Sequence, residues 1–213
     1  SRGVPFQFNP DNGDLRISGT LSSLAGLEDA LEKQDNHMIE LAVRRINLLR
    51  NIQVSIGGIP LLYAGDEYGV LNDYTFLSDP LKVNDSRWVH RSRKRWEAGE
   101  DLTNTDTLEW RFFNEMVKLF KQRKQLSALR NGGMVLADTG NPHLLAYIRD
   151  GGDQRLLIIN NFSEYAQVMT VGKLEASGMT RDAHEIFTQR TIPAGENLEI
   201  DAYRYMWIDI SGQ

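Results

Sequence analysis

A single apolar hexapeptide, Ile59-Pro60-Leu61-Leu62-Tyr63-Ala64, constrains this chain more than any other feature. It shows no polar alternation and is bounded by Gly57-Gly58 and Gly65, which is how a strand buried on both faces of a parallel sheet reads. Pro60 counts against a central position, since it cannot donate to the ladder. A lone parallel strand would also leave two rows of backbone groups unpaired, each costly when buried. Yet its neighbours read as helices that need a sheet to lie on. Leu24, Leu27 and Leu31 predict a helix over 22–31, capped by Ser22 or Ser23. Met38, Ala42, Ile46, Leu49 and Ile52 form one stripe and predict a helix over 37–55. Asp35 or Asn36 caps it, Gly57-Gly58 stops it, and Arg44, Arg45 and Arg50 fall off the stripe as solvated or ion-paired residues. Trp110, Phe113, Met116, Val117 and Phe120 predict a third helix over 107–129, capped by Asp106 and stopped by Asn131-Gly132-Gly133.

From Met134 the texture changes to short β-rich runs: 144–149, 155–160, 166–171, 184–192 and 203–210. Asp150-Gly151-Gly152-Asp153 is a hairpin link between the first two. Their spacing predicts an antiparallel sandwich, with 134–213 long enough to fold alone.

Composition removes several function classes. The net charge of −5 disfavours nucleic acid and anionic membranes as partners. The run Arg91-Ser92-Arg93-Lys94-Arg95-Trp96 could stack bases, but it is short and sits in an acidic chain. There is no cysteine, so disulfides, thiolate metal sites and Cys nucleophiles are excluded. His37, His90, His143 and His184 lack ligand spacing, and Asp11, Asn12 and Asp14 lack the EF-hand pattern, so no metal and no cofactor are expected. No run of apolar residues suffices to span a membrane. Ser1-Arg2-Gly3-Val4-Pro5 has neither an initiator Met nor a signal segment; the numbering is expected to begin inside a longer protein, so the missing signal says little about compartment, and the expected location is cytoplasmic. Asp66 and Glu67, directly after the apolar hexapeptide, have two readings: carboxylates placed for chemistry at a strand end, or groups bonded to basic side chains and backbone amides. Arg87-Trp88 suits a carboxylate held bidentately beside a ring that packs on a sugar.

Gly58-Ile59-Pro60-Leu61-Leu62-Tyr63-Ala64-Gly65-Asp66-Glu67 resembles the eighth barrel strand and following Gly-Asp-Glu of the α-amylase-type glycoside hydrolases and transglycosylases. That family carries a proline at the position of Pro60. Arg2-Gly3-Val4-Pro5-Phe6-Gln7, Gly13-Asp14 with Arg16, Ser18-Gly19-Thr20, Leu71-Asn72-Asp73, Asp85-Ser86-Arg87-Trp88 and Asn161-Phe162-Ser163-Glu164-Tyr165 are similar, more narrowly, to the amylosucrase group with its relative sucrose hydrolase. The resemblance implies an α/β plus all-β fold: the C-terminal end of a (β/α)8 TIM barrel, with the last strand and flanking helices, followed by an antiparallel β-sandwich. Residues 1–35 would end the insertion after barrel strand 7. Residues 36–133 would hold strand 8 and a long loop over 70–105, and 134–213 the sandwich.

It further implies retaining chemistry on sucrose: a carboxylate forms a glucosyl ester, an acid protonates the departing fructose, and α-1,4-glucan or water takes the glucose. The family's reacting carboxylates would lie upstream of Ser1, so no catalytic residue is expected here and the chain alone would be inactive. Arg87 resembles the arginine that closes the donor pocket on an upstream aspartate. Arg16 resembles one on the acceptor side, where Gln7 and Asn9 match acceptor-contacting positions. Phe8 stands where that group has glutamate, and Leu15 where it often has cysteine. The expected partners are sucrose, α-glucan and the missing N-terminal part of the same protein. The alternative is sucrose hydrolase or another α-amylase-family glycosidase. A different class, a carbohydrate-binding or structural module, lacks an evident exposed aromatic platform in the sequence.

Overall fold

The computed structural model describes residues 2–93, 102–130 and 132–212. Lys94, Arg95 and Trp96 of the basic run, and Asn131 of the predicted helix stop, lie outside them. The chain forms two compact units, Ser1–Ile46 with Leu62–Met116, and Asn47–Leu61 with Val117–Gln213.

The first unit opens with an antiparallel hairpin, β1 (Val4–Phe8) and β2 (Leu15–Ser18). Its connection is the predicted polar turn: the Asn9 amide donates to the Asp14 carbonyl at 2.8 Å, and Asn9 Oδ1 accepts from the Asp11 amide at 3.0 Å. The predicted helix over 22–31 is instead two short ones, α1 (Leu21–Leu24) and α2 (Leu27–Glu32). Gly26 takes φ +96, a left-handed conformation that ends the first before the second begins. The cap is Thr20, whose side chain accepts from the Ser23 amide at 3.2 Å, rather than Ser22 or Ser23.

The helix α3 (Asn36–Ser55) matches its expected span, with Asp35 Oδ1 accepting from the Met38 amide at 3.0 Å. Its stripe is offset. Ala42, Val43 and Ile46 are buried with Leu27 and Phe112 in the core of the first unit, whereas Met38 and Leu49 are exposed. Arg50, read from the sequence as solvated or ion-paired, is buried and so not solvated. The helix α4 runs from Leu108 to Gln125, shorter than predicted, and the chain turns before α5 (Ser127–Arg130). Thr107 caps α4 by accepting from the Trp110 amide at 3.1 Å, a role expected of Asp106. The most buried positions, Phe112, Met116 and Leu119, lie one residue round from most of the predicted stripe.

The segment 59–64 differs most from expectation. It has no regular secondary structure, and Ile59 and Leu61 are 88% and 78% exposed. No strand among the described residues pairs with it. Its backbone cannot enter a ladder without partners, so its apolar side chains gain no cover. Among the described residues this segment therefore forms no barrel strand.

The second unit is built on a six-stranded antiparallel sheet. It contains β3 (Gly133–Ala137), β4 (Leu144–Asp150), β5 (Arg155–Asn161), β7 (Ala183–Glu185), β8 (Thr191–Ile192) and β10 (Tyr205–Asp209). The strand order is β3-β4-β5-β10-β7-β8, and β6 (Gln167–Met169) pairs separately with β9 (Leu198–Ile200). The run 184–192 splits into β7 and β8, because Glu185 accepts from the Phe187 and Thr188 amides (3.1 and 2.6 Å) and turns the chain. The run 166–171 stops early because α6 (Val171–Ala176) begins there.

Both faces of the central strands are covered. Leu157, Ile159 and Ile208 join Met169, Leu174, Leu198 and Ile200 in the sandwich core. Leu156, Ile158, Tyr147 and Trp207 face Val54, Leu119, Ala128 and Leu129. Polar groups are matched inside that second layer. The buried Trp207 Nε1 donates to Asn51 Oδ1 at 2.5 Å, and Asn51 Nδ2 donates to Asn160 Oδ1 at 2.6 Å. Ser55 Oγ and the Tyr147 hydroxyl lie 2.6 Å apart. Burial raises the Tyr147 hydroxyl above its ordinary pKa, so it stays protonated at neutral pH.

Candidate functional site

The site residues expected from the sequence fall on one hairpin and one short turn. Gln7 on β1 and Arg16 on β2 are cross-strand partners. A 3-10 turn over Ser86–His90 is tied to the hairpin by Ser86 Oγ, which donates to the Pro5 carbonyl at 2.8 Å. The next residue, Arg87, lays its guanidinium 5.2 Å from the centre of the Phe6 ring. The structure thus gathers Arg87, Phe6, Gln7 and Arg16. Asn9 sits at the hairpin tip, where its side chain shapes the turn.

Arg87 holds a carboxylate bidentately, as its chemistry suggests, but the partner is local. Its Nε donates to Asp85 Oδ1 at 2.8 Å and its Nη2 to Asp85 Oδ2 at 2.9 Å. Asp85 also accepts from the Arg87 amide at 3.0 Å, so it starts the turn as well as pairing the charge. The hydrogen bond from Arg87 holds the Asp85 carboxyl below its ordinary pKa, and the same contact raises that of Arg87. The pair is solvent-facing, so it positions Arg87 more than it stabilises the fold.

A cleft of about 1000 Å³ in the same unit is lined by Tyr68, Asn72, Asp73, Lys82, Trp88 and Arg91, among others. The Trp88 ring is flanked by Lys82 Nζ at 5.0 Å and the Arg91 guanidinium carbon at 5.3 Å. Burial and the neighbouring Arg91 lower the His90 pKa, keeping the imidazole neutral at pH 7. Glu67 accepts from the Gly65 amide at 2.7 Å, the backbone-bonding reading of this carboxylate. Among the described residues no cluster of His, Asp or Glu could hold a metal ion.

Two further side chains shape this region; both lie in motifs that resemble the amylosucrase group, but the sequence assigned neither a role. Phe6 belongs to a hairpin whose alternation (Val4, Phe6, Phe8, then Leu15, Ile17) flanks an Asn-Gly turn, a signal present in the sequence. Asn72 is a clamp: its Oδ1 accepts from the Thr20 amide at 2.8 Å, and its own amide donates to Ser23 Oγ at 2.9 Å. Nothing local in the sequence announces contacts so distant along the chain. In the second unit Phe162 and Tyr165 are 43% and 70% exposed, so aromatic surface is present there after all.

Comparison with known proteins places the β-rich unit. Residues 134–207 match the family described as maltogenic amylase, C-terminal domain. A trehalose synthase from Thermus thermophilus is 28% identical, across 72% of this chain and 18% of its own length. Among solved structures, AmyP in complex with maltose superposes with a TM-score of 0.64 at 14% identity, covering 80% of this chain and 36% of that one. An Anoxybacillus α-amylase gives a TM-score of 0.59 at 18% identity, over 92% of this chain and 36% of that one. The chain spans about a fifth of the length of the trehalose synthase and about a third of these structures. No helix among the described residues is long and apolar enough to cross a membrane. Residues 134–207 are thus similar to the C-terminal domain of maltogenic amylases.

Proposed function

We propose that this chain is the C-terminal part of an amylosucrase-like retaining glucosyltransferase, which cleaves sucrose and transfers the glucose to α-1,4-glucan. The observation that carries the reading is the joint placement of Arg87, Gln7 and Arg16 on one hairpin and turn. Guanidinium and amide groups recognise sugar hydroxyls because they present several directed donors, and the amide accepts as well. Arg87 serves the donor glucose; Arg16, Gln7 and Asn9 serve the fructosyl or acceptor side. The reacting carboxylates come from the missing N-terminal part. In this reading residues 1–35 end a barrel insertion, 36–133 close the barrel with 59–64 as its last strand, and 134–213 form the sandwich. The exposed apolar side chains of Ile59, Leu61 and Tyr63 are then the face that the rest of the barrel covers.

A second reading, another α-amylase-family glycosidase, is favoured by the relative named trehalose synthase. The test is to incubate the complete protein with sucrose and follow fructose, free glucose and glucan. Glucan together with fructose supports the transferase; free glucose alone marks a sucrose hydrolase; an intact sucrose pool beside turnover of another α-glucoside selects the second reading. In a sucrose-active protein, Arg87→Ala is expected to lower turnover by roughly 100-fold or more, as loss of a charge-assisted contact in a closed pocket does. Unchanged kinetics would remove Arg87 from the donor site.

A further inference from the structure

The C-terminal end of α3 is held by side chains that no part of the sugar chemistry requires. Helix ends leave carbonyls without intrahelical donors, and here these are met in an uncommon way. From β4, the buried Arg149 donates through Nη1 to the Ser55 carbonyl at 3.2 Å and through Nη2 to the Gly132 carbonyl at 2.8 Å. From α4, Arg123 donates through Nη1 to the Val54 carbonyl and through Nη2 to the Gly58 carbonyl at 2.7 Å. Gln53 Nε2 donates to the Leu61 carbonyl. Side chains thus grip the backbone at 54, 55, 58 and 61, the stretch that leads into the apolar hexapeptide.

The grip is built rather than incidental. Gly57 has φ +124, and a Cβ there would stand 2.8 Å from Arg149 Nη1. The backbone conformation favours glycine, and a side chain there would push on the guanidinium. Burial and the like charge of Arg123 both depress the Arg149 pKa, so bringing the two cations together carries a cost. The negative end of the α3 dipole and the carbonyls offset it.

We infer that Arg149 and Arg123 are positioning residues: the C-terminal domain, through Arg149, and α4, through Arg123, fix where segment 59–64 begins. The inference rests on the proposed function for its catalytic meaning, since only there does 59–64 precede a sugar-facing loop, but the clamp itself does not. It makes the β-rich domain a participant in the reaction rather than a passenger.

The experiment has two arms. In the first, amide hydrogen exchange is measured on the 213-residue chain as wild type, Arg149→Ala, Arg149→Lys and Gly57→Ala. The clamp predicts that amides of 54–58 exchange about tenfold faster in Arg149→Ala and Gly57→Ala, with partial rescue in Arg149→Lys. Amides of 156–159 and 206–208 should keep their protection. Equal protection at 54–58 in wild type and variants, or equal loosening of the sheet, overturns the clamp. In the second arm, the complete protein carrying Arg149→Lys is assayed with the sugar it turns over. A fall in kcat with KM unchanged supports positioning; a change in KM alone, or none in either constant, overturns it. A wild-type protein inert on every sugar would sink the proposed function and with it the catalytic meaning, while the exchange arm still decides the clamp.

Discussion

Two apolar runs of similar composition meet opposite fates in this molecule. Leu156-Leu157-Ile158-Ile159 is fully buried, at 0% exposure throughout, while Ile59 and Leu61 stand at 88% and 78%. The difference is not hydrophobicity. The strand β5 has β4 on one side and β10 on the other, and side chains cover both its faces. Segment 59–64 has no ladder partner among the described residues. An apolar run becomes a buried strand only where its backbone is paired, because unpaired amides and carbonyls prefer water to the core.

The sharpest way to break that contrast is to damage the covered run. Trp207→Ala empties space beside Ile158 and Tyr147 and is expected to cost about 3–5 kcal/mol by urea denaturation. A loss below about 1 kcal/mol would mean this layer is not a packed core. Asn51→Ala tests its polar half. It strands the Trp207 indole N–H and the Asn160 side-chain Oδ1, at about 1–3 kcal/mol for each buried group left unpaired. Leu61→Ala probes the uncovered run: thermal unfolding of this chain should stay within about 0.5 kcal/mol of wild type, as for an exposed site. In the complete protein the barrel reading expects a core-sized loss of about 2–5 kcal/mol, and equal effects in both proteins would refute it.

The smallest expected effect is a titration. Asp85 has a pKa below the ordinary 3.8 because Arg87 bonds its ionised form. A lowered folded-state value means the pairing is present above the ordinary carboxylate range and is lost as pH falls through the lowered pKa. In Arg87→Ala the Asp85 carboxyl should titrate higher, nearer 3.8, in a carbon-detected NMR series. An unmoved titration would show that the pair does not form in solution.

Much of the second unit was legible because β4, β5 and β10 carry their own evidence: apolar runs separated by turn residues at regular spacing. The long helix was legible from its period, and Asp35 from its place before it. What escaped were facts that depend on distant partners. The one-residue rotation of the α4 face and the clamp by Arg149 arise from neighbours scores of residues away. The break at Gly26 was readable in principle, but the leucine spacing on either side ran through it. The pairing of Arg87 with Asp85 was the nearest miss, since both lie in one tetrapeptide. For Arg16, Gln7 and Asn9 the sequence supplied positions by resemblance, and their roles rest on the activity assays.

The helix α3 gives Ala42, Val43 and Ile46 to one core and Val54 to the other without a linker between them. The same is true of α4, whose Phe112 and Leu119 serve different cores. Anyone wishing to excise either half by genetic engineering therefore has no seam to cut along. Each severed rod would lose the hydrogen-bonded turns that its remaining half depends on, so a cut at either boundary ends in the middle of a helix.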